Sequence, residues 1–212
     1  MIALILRDVA QAWRAGGALL PVVFFLLVAT LFAFALGPDA SVLGRVGGGV
    51  LWMGALLAAL LPVDRLVEPD RLNGVLDQLA LRGLSDEGIA LAKLFAHWLS
   101  FGPPLMLAVL PAAALLRLDG AAVARLEFGL VIGTPALAAL GLTVSALTTG
   151  LRSAGALGGL LMLPVAVPVL IFGAGTLTDE TGQAVKLLAA VSLVITAGAP
   201  FAAGAAMRAA RT

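Results

Sequence analysis

The strongest constraint on this chain is a series of six apolar runs, each close to the length of a membrane-spanning helix. They cover residues of about 18–36, 46–63, 92–116, 127–149, 155–177 and 187–207. A helix of about 20 apolar residues crosses the ~30 Å hydrocarbon core of a bilayer. Charges are absent from these runs or lie at their ends, as the cost of a charge at mid-bilayer requires. The pattern predicts an all-α integral membrane protein with six transmembrane helices, forming a single transmembrane domain over residues 1–212.

Composition excludes several classes of protein. Of the 212 residues, 61% are hydrophobic and only 12% are charged, about half of the ~25% that is usual for a soluble domain. A soluble enzyme and a disordered chain are therefore excluded. The balance of 13 Lys+Arg against 12 Asp+Glu carries no basic footprint for nucleic acid. Without cysteine and with one histidine, the chain has no disulfide framework, no haem-attachment motif, no thiolate metal site and no cluster of imidazole ligands.

The distribution of lysine and arginine predicts the orientation of the spans. One side of the membrane receives nine of these residues: Arg7, Arg14, Arg65, Arg71, Arg82, Lys93, Arg152, Arg208 and Arg211. The other side receives four, namely Arg45, Arg117, Arg125 and Lys186. Because the positively charged side faces the cytoplasm, we expect both termini there, in agreement with an even number of spans.

The N-terminal segment 1–15 is amphipathic. Its apolar stripe consists of Ile2, Ile5, Leu6, Val9 and Trp13, whereas Arg7, Gln11 and Arg14 fall largely on the other face. This pattern is typical of a helix that lies in the membrane interface. The alternative is a cytoplasmic extension of the first span.

A second amphipathic helix is predicted in the polar loop 64–91. Asn73 is a candidate N-cap, Gly83 a candidate stop, and Ser85 a candidate cap of the next helix. The apolar stripe consists of Leu72, Val75, Leu76 and Leu79, with Asp77 and Gln78 off that face. This stripe has no partner within the loop. Its period alone does not separate packing on the chain's own spans from docking in a groove of another protein.

The sequence has no motif for nucleotide binding or hydrolysis and no intramembrane charge of the kind used in proton-coupled transport. There is no phosphate-binding G-x-x-x-x-G-K-[ST], no H-E-x-x-H and no G-x-S-x-G, so we expect neither catalytic residues nor ATP binding. No span carries an acidic or basic residue at its middle, although intramembrane carboxylates usually serve proton-coupled transport. If the protein moves a substrate, the energy must come from another subunit.

His97 lies near the start of the third run. It is a candidate haem ligand or proton-sensitive group, or an interfacial histidine bonded to a neighbouring helix or to headgroups, with Trp98 beside it at the interface. A single histidine without a second ligand favours the structural interpretation.

Taken in order, these segments resemble an ABC-type export permease, in which the loop helix is a coupling helix docked on a separate ATPase. The segment 73–79 (NGVLDQL) is similar to the corresponding stretch of such permeases. The segments 92–98 (AKLFAHW), 133–135 (GTP) and 163–172 (LPVAVPVLIF) resemble the CcmB family of cytochrome c maturation, and the resemblance covers essentially the whole chain.

The resemblance implies a multi-pass subunit of the bacterial inner membrane, acting in haem export or haem-chaperone release during c-type cytochrome biogenesis. It implies a CcmA-like ATPase, CcmC-like and CcmD-like membrane subunits and, indirectly, a CcmE-like haem chaperone. Haem is then a candidate cargo rather than a cofactor of this chain. The residues implied in ATPase docking are Leu72, Val75, Leu76, Asp77 and Leu79. Two alternatives stay open: a permease for another amphipathic cargo, and a structural scaffold without transport activity.

Overall fold

The computed structural model describes residues 1–14, 16–150 and 154–211, without the side chains of 154–159, 161 and 162. Nine α-helices and one 3₁₀ turn (Val63–Arg65) lie in this described part of the chain. The helices are α1 (Ile2–Arg14), α2 (Leu19–Leu36), α3 (Ala40–Leu60), α4 (Glu68–Leu72), α5 (Val75–Leu81), α6 (Asp86–Leu115), α7 (Gly120–Thr148), α8 (Ala154–Gly175) and α9 (Gln183–Ala209). Arg152, one of the nine residues assigned to the positive side, lies outside the described residues.

Three of the long helices begin several residues before the predicted apolar runs. Their N-caps are Asp39, Ser85 and Asp119, whose side chains accept hydrogen bonds from backbone N–H groups of the first turn. The predicted cap at Ser85 is confirmed, with Oγ 3.1 Å from the Gly88 nitrogen. Hydrogen bonds from the Ser41 hydroxyl and backbone hold the pKa of Asp39 below its ordinary value. Hydropathy thus marks the apolar part of each helix, whereas the cap marks its start.

Multi-pass membrane architecture follows from five stretches that are long and apolar enough to cross a bilayer. Within the described chain these are Leu19–Leu36, Ala40–Leu72, Asp86–Leu115, Gly120–Thr148 and Gln183–Ala209. The remaining predicted run coincides with α8, which stays helical through Pro164 and Pro168. Its apolar stretch Leu163–Gly175 is shorter than a span where the chain is described.

Helix α7 lies at the centre of the bundle and contacts α3, α6, α8 and α9. Its close approach to α3 and α8 depends on glycines around the fully buried Trp52. A Cβ atom at Gly133 or Gly173 would lie 2.6 Å from the indole ring, which is closer than real contacts allow. These glycines therefore form a slot that the Trp52 ring fills, and they set the spacing of three helices.

Two separate clusters of buried side chains stabilise the bundle. The larger one runs through the middle of the long helices and includes Phe25, Trp52 and Phe101. The smaller one lies at the end of the bundle where the loop 64–91 is found, and it includes Leu4, Leu76 and Met207. We call this second cluster the loop-end core. It joins α1, α5, α6, α7 and α9, and therefore positions the loop helix.

Candidate functional site: the loop helix and its supports

The loop helix α5 packs its apolar face on the chain's own bundle. Leu76 is only 1% exposed and lies in the loop-end core together with Ile89 of α6 and Met207 of α9. Leu79 is half-buried against the same core. In this structure Leu76 therefore supports the helix from inside the chain's own core. Its place in the predicted docking set stays a prediction.

The outward side of the loop is exposed. Leu72 is 69% exposed, Leu81 is 89% exposed, and the side chain of Asp77 is 65% exposed. We call these three residues the outer face. Leu81 was not predicted, because it lies outside the periodic stripe. The available signal was a leucine in a polar loop that the stripe does not account for. The predicted docking set divides into exposed Leu72 and Asp77, half-buried Val75 and Leu79, and buried Leu76.

The ends of α5 are defined by backbone geometry. Asn73 does not cap this helix: its side-chain amide donates to the Pro69 carbonyl at 2.7 Å and so closes α4. Gly74, with φ +65°, occupies the N-cap position instead. The predicted stop at Gly83 is confirmed, because its φ of +83° and the bond from the Leu84 nitrogen to the Leu79 carbonyl (3.2 Å) form a Schellman turn.

The C-terminal end of α9 holds α5 against α6. Arg211 donates to the Leu76 carbonyl at 3.2 Å and pairs with Asp86, while Arg208 pairs with Glu87 at 2.6 Å. These contacts join residues more than 120 positions apart. Sequence reasoning assigned no structural role to this tail. The available signal was the pair of arginines after the last apolar run, together with the two acidic residues in the first turn of α6.

An ionic cluster with a buried Lys93–Asp70 pair at its centre joins α1, the loop and α6. It consists of Arg7, Asp8, Asp70 and Lys93, and Lys93 is 5% exposed. Lys93 Nζ donates to Asp70, to the Leu66 carbonyl at 2.9 Å and to Asp8 at 3.3 Å. Arg7 donates to Asp70 at 2.7 Å. Two cations face two carboxylates, so the cluster is neutral and the three donors of the lysine ammonium are all used.

A second link ties the loop to the end of α7. Glu68 pairs with Arg71 at 2.6 Å and accepts a hydrogen bond from the Gly150 nitrogen at 3.0 Å. The loop is therefore fixed to α1, α6, α7 and α9 by polar side-chain contacts.

His97 is buried in the bundle, 3% exposed, with its ring 4.9 Å from the ring of Phe101. Within the described part of the chain, Nε2 has no hydrogen-bond partner. A Cβ at Gly141 would lie 3.3 Å from this nitrogen, so Nε2 faces the backbone of α7. The expected bond to a neighbouring helix is thus not formed by Nε2, and the interfacial position of Trp98 stays a prediction. Trp98 donates to Thr134 at 3.0 Å within the bundle.

His97 also lines a cavity of about 190 Å³ between α1, the start of α2, the loop and α6. Buried Ala18, Pro21 and Phe101 form apolar walls, whereas Gln11 and Arg65 are exposed. The cavity offers one imidazole and no second ligand of the kind that holds haem iron on both sides.

Comparison with known proteins identifies the family of the chain. The family model for CcmB protein matches residues 1–210. The chain is 46% identical to Heme exporter protein B of Paracoccus denitrificans and 44% identical to that of Rhodobacter capsulatus, over 98% of each chain in both comparisons. It is 36% identical to Heme exporter protein B of Escherichia coli K12 over 89% of this chain and 88% of the relative. Matches of this length and identity, together with the multi-pass helical fold, show that the chain belongs to the CcmB protein family.

Proposed function

We propose that this chain is the membrane subunit of an ABC-type haem export complex that acts in c-type cytochrome biogenesis. Support comes from its family and from relatives named Heme exporter protein B that match nearly its full length. In this proposal α8 is the fifth of six spans, α1 lies in the interface, and both termini face the cytoplasm of a bacterial inner membrane. Haem is the candidate cargo, and CcmC-like, CcmD-like and CcmE-like proteins are the other partners.

The observation that carries the proposal is that the loop segment α4–α5 has an anchored side and an exposed side. The outer face presents two leucines and a carboxylate to a partner, whereas Leu76 lies in the loop-end core. Apolar side chains on an exposed, structured loop are a common mark of an interaction surface. Since the chain has no phosphate-binding loop, the partner is a separate CcmA-like ATPase that supplies the energy.

The contacts of the anchored side would transmit a displacement of α5 to the neighbouring helices. Arg211 joins the Leu76 carbonyl to Asp86 at the start of α6, and Arg208 joins α9 to Glu87. A Cβ at Gly204 would lie 3.0 Å from the Glu87 nitrogen, so the backbones of α9 and α6 are in close approach. A displacement of α5 would therefore move the ends of two long helices together, and the ionic cluster would pass it to α1.

The experiment compares two double variants of the outer face in cells that carry the whole complex. Leu72→Asp/Leu81→Asp places carboxylates where the partner surface is proposed to be apolar, whereas Leu72→Met/Leu81→Met is the matched control. We expect the aspartate variant to insert normally, to lose most of the ATPase on co-purification, and to lose holo-cytochrome c by haem staining. The methionine variant should keep both. Full retention of ATPase and holo-cytochrome c by the aspartate variant would refute the docking role of this face.

The proposed orientation has its own test. A fusion of alkaline phosphatase after Arg211 should be inactive, because the enzyme needs the periplasm to mature its disulfides. High phosphatase activity from this fusion, with low activity from one after Arg117, would reverse the topology.

A further inference from the structure

The cavity beside His97 lies next to a groove on α1 that is lined by Arg7, Ala10, Gln11 and Arg14, and we call the cavity and the groove together the crevice. Gln11 lines both, so the two spaces are neighbours. Ala18 and Phe101, each 1% exposed, form an apolar wall of the inner part, and the paired Asp8, Asp70 and Lys93 also line it. Its volume of about 190 Å³ is below the ~300–1,000 Å³ of typical small-molecule pockets. The space therefore suits one narrow apolar chain with a polar end rather than a whole soluble ligand.

The outer part of this crevice carries uncompensated positive charge. Arg7 and Lys93 are balanced by Asp8 and Asp70 in the ionic cluster. Arg14 and Arg65 are exposed, and among the described residues neither has an ion-pair partner. Asp64 precedes Arg65 in the chain but does not line either space, whereas Asp8 and Asp70 line the cavity and are paired with Arg7 and Lys93. Arg14 lines the groove and Arg65 lines the cavity, so each of the two neighbouring spaces offers an anion one guanidinium group without a carboxylate partner among the described residues.

The surroundings of the mouth are apolar side chains of the kind that contact lipid. Ile2, Leu6 and Trp13 are exposed on α1, at 75%, 63% and 46%. Leu19 and Leu20 are exposed at the start of α2, at 55% and 46%. The crevice therefore opens at the boundary between an amphipathic helix and the apolar surface of a span. Headgroups and acyl chains meet at such a boundary.

We propose that this crevice binds one anionic phospholipid. Its phosphate lies between Arg14 and Arg65, and the upper part of one acyl chain enters beside Phe101. Basic pockets between membrane helices recognise anionic headgroups in this way, and each arginine near the surface strengthens such binding about fivefold. The bound lipid would hold α1 against the loop from outside, as the ionic cluster does from inside.

The test is native mass spectrometry of the purified full-length chain in detergent, with phosphatidylglycerol or phosphatidylcholine added at equal concentration. We expect the wild-type chain to retain phosphatidylglycerol over phosphatidylcholine. Arg14→Gln/Arg65→Gln should weaken phosphatidylglycerol binding by more than tenfold, since two arginines are removed. Arg82→Gln is the matched control, because Arg82 is an exposed arginine on the same loop that lines neither space, and it should bind as the wild type does.

Two further measurements distinguish a bound lipid from a bound small anion, and the effect of the arginine charges from that of the shape of the crevice. Inorganic phosphate at millimolar concentration should not displace phosphatidylglycerol, because it has no apolar part. Ala12→Phe, which fills the crevice from α1 and leaves all arginines in place, should also weaken lipid binding. Equal retention of the two lipids, unchanged binding by the double arginine variant, or displacement by phosphate alone would each overturn the proposal.

Discussion

Removal of Lys93 is the sharpest test of how the loop is held. In the Lys93→Met variant, Asp8 and Asp70 share one cation, Arg7, and the ionic cluster changes from neutral to a net charge of −1. The Leu66 carbonyl also loses its donor, 2.9 Å away. We expect this variant to be less stable than the wild type, because a buried carboxylate is left without compensation.

The magnitude follows from the contacts. Two unit charges about 4 Å apart attract by about 4 kcal/mol at an effective dielectric constant near 20. Breaking a buried pair by removing one partner costs about 3–5 kcal/mol in measured cases. For a chain of this length, 3 kcal/mol corresponds to a fall of roughly 6–12 °C in the thermal midpoint. Asp70→Asn should cost a similar amount, since it leaves a net charge of +1.

The double variant Asp70→Asn/Lys93→Met decides whether the charges are coupled. It leaves Arg7 paired with Asp8 and restores neutrality, so its loss of stability should be clearly smaller than the sum of the two single losses. The assay is thermal unfolding of the purified chain in one detergent at pH 7, followed by tryptophan fluorescence. Arg82→Met is the control and should shift the midpoint little. Additive single effects within about 0.5 kcal/mol would refute the coupling.

Three other outcomes are expected. Gly173→Ala should lower the thermal midpoint by an amount equivalent to about 1–3 kcal/mol, because its Cβ would overlap the rigid Trp52 ring; Gly49→Ala, on α3 with open space around it, should not. Arg211→Gln should speed amide hydrogen exchange in α5 while that of the central part of α7 stays unchanged, and equal protection in both proteins would contradict the clamp. His97→Ala should keep insertion, partners and most holo-cytochrome c by haem staining. Loss of staining in an assembled complex would give His97 a direct chemical role.

Local properties of the sequence were sufficient to predict the multi-pass, all-helical membrane class, the helical start at Ser85 and the stop at Gly83. Each depends on neighbouring residues alone: apolar runs of span length, a side chain that caps the next turn, or a glycine that adopts positive φ. Asn73 shows the limit of this reasoning. A residue that can close one helix or open the next is not assigned by its type, and here it closes α4.

Tertiary structure alone decided which surfaces the loop helix presents. An apolar stripe has the same period whether it meets lipid, a partner or the chain's own core, so the burial of Leu76 could not be predicted from periodicity. The same holds for Lys93 with Asp8, 85 residues apart, and for Arg211 with Leu76, 135 residues apart. Such pairs form only when separate helices pack at particular rotations and heights. Those are set by contacts such as the glycine slot around Trp52, which no local pattern records.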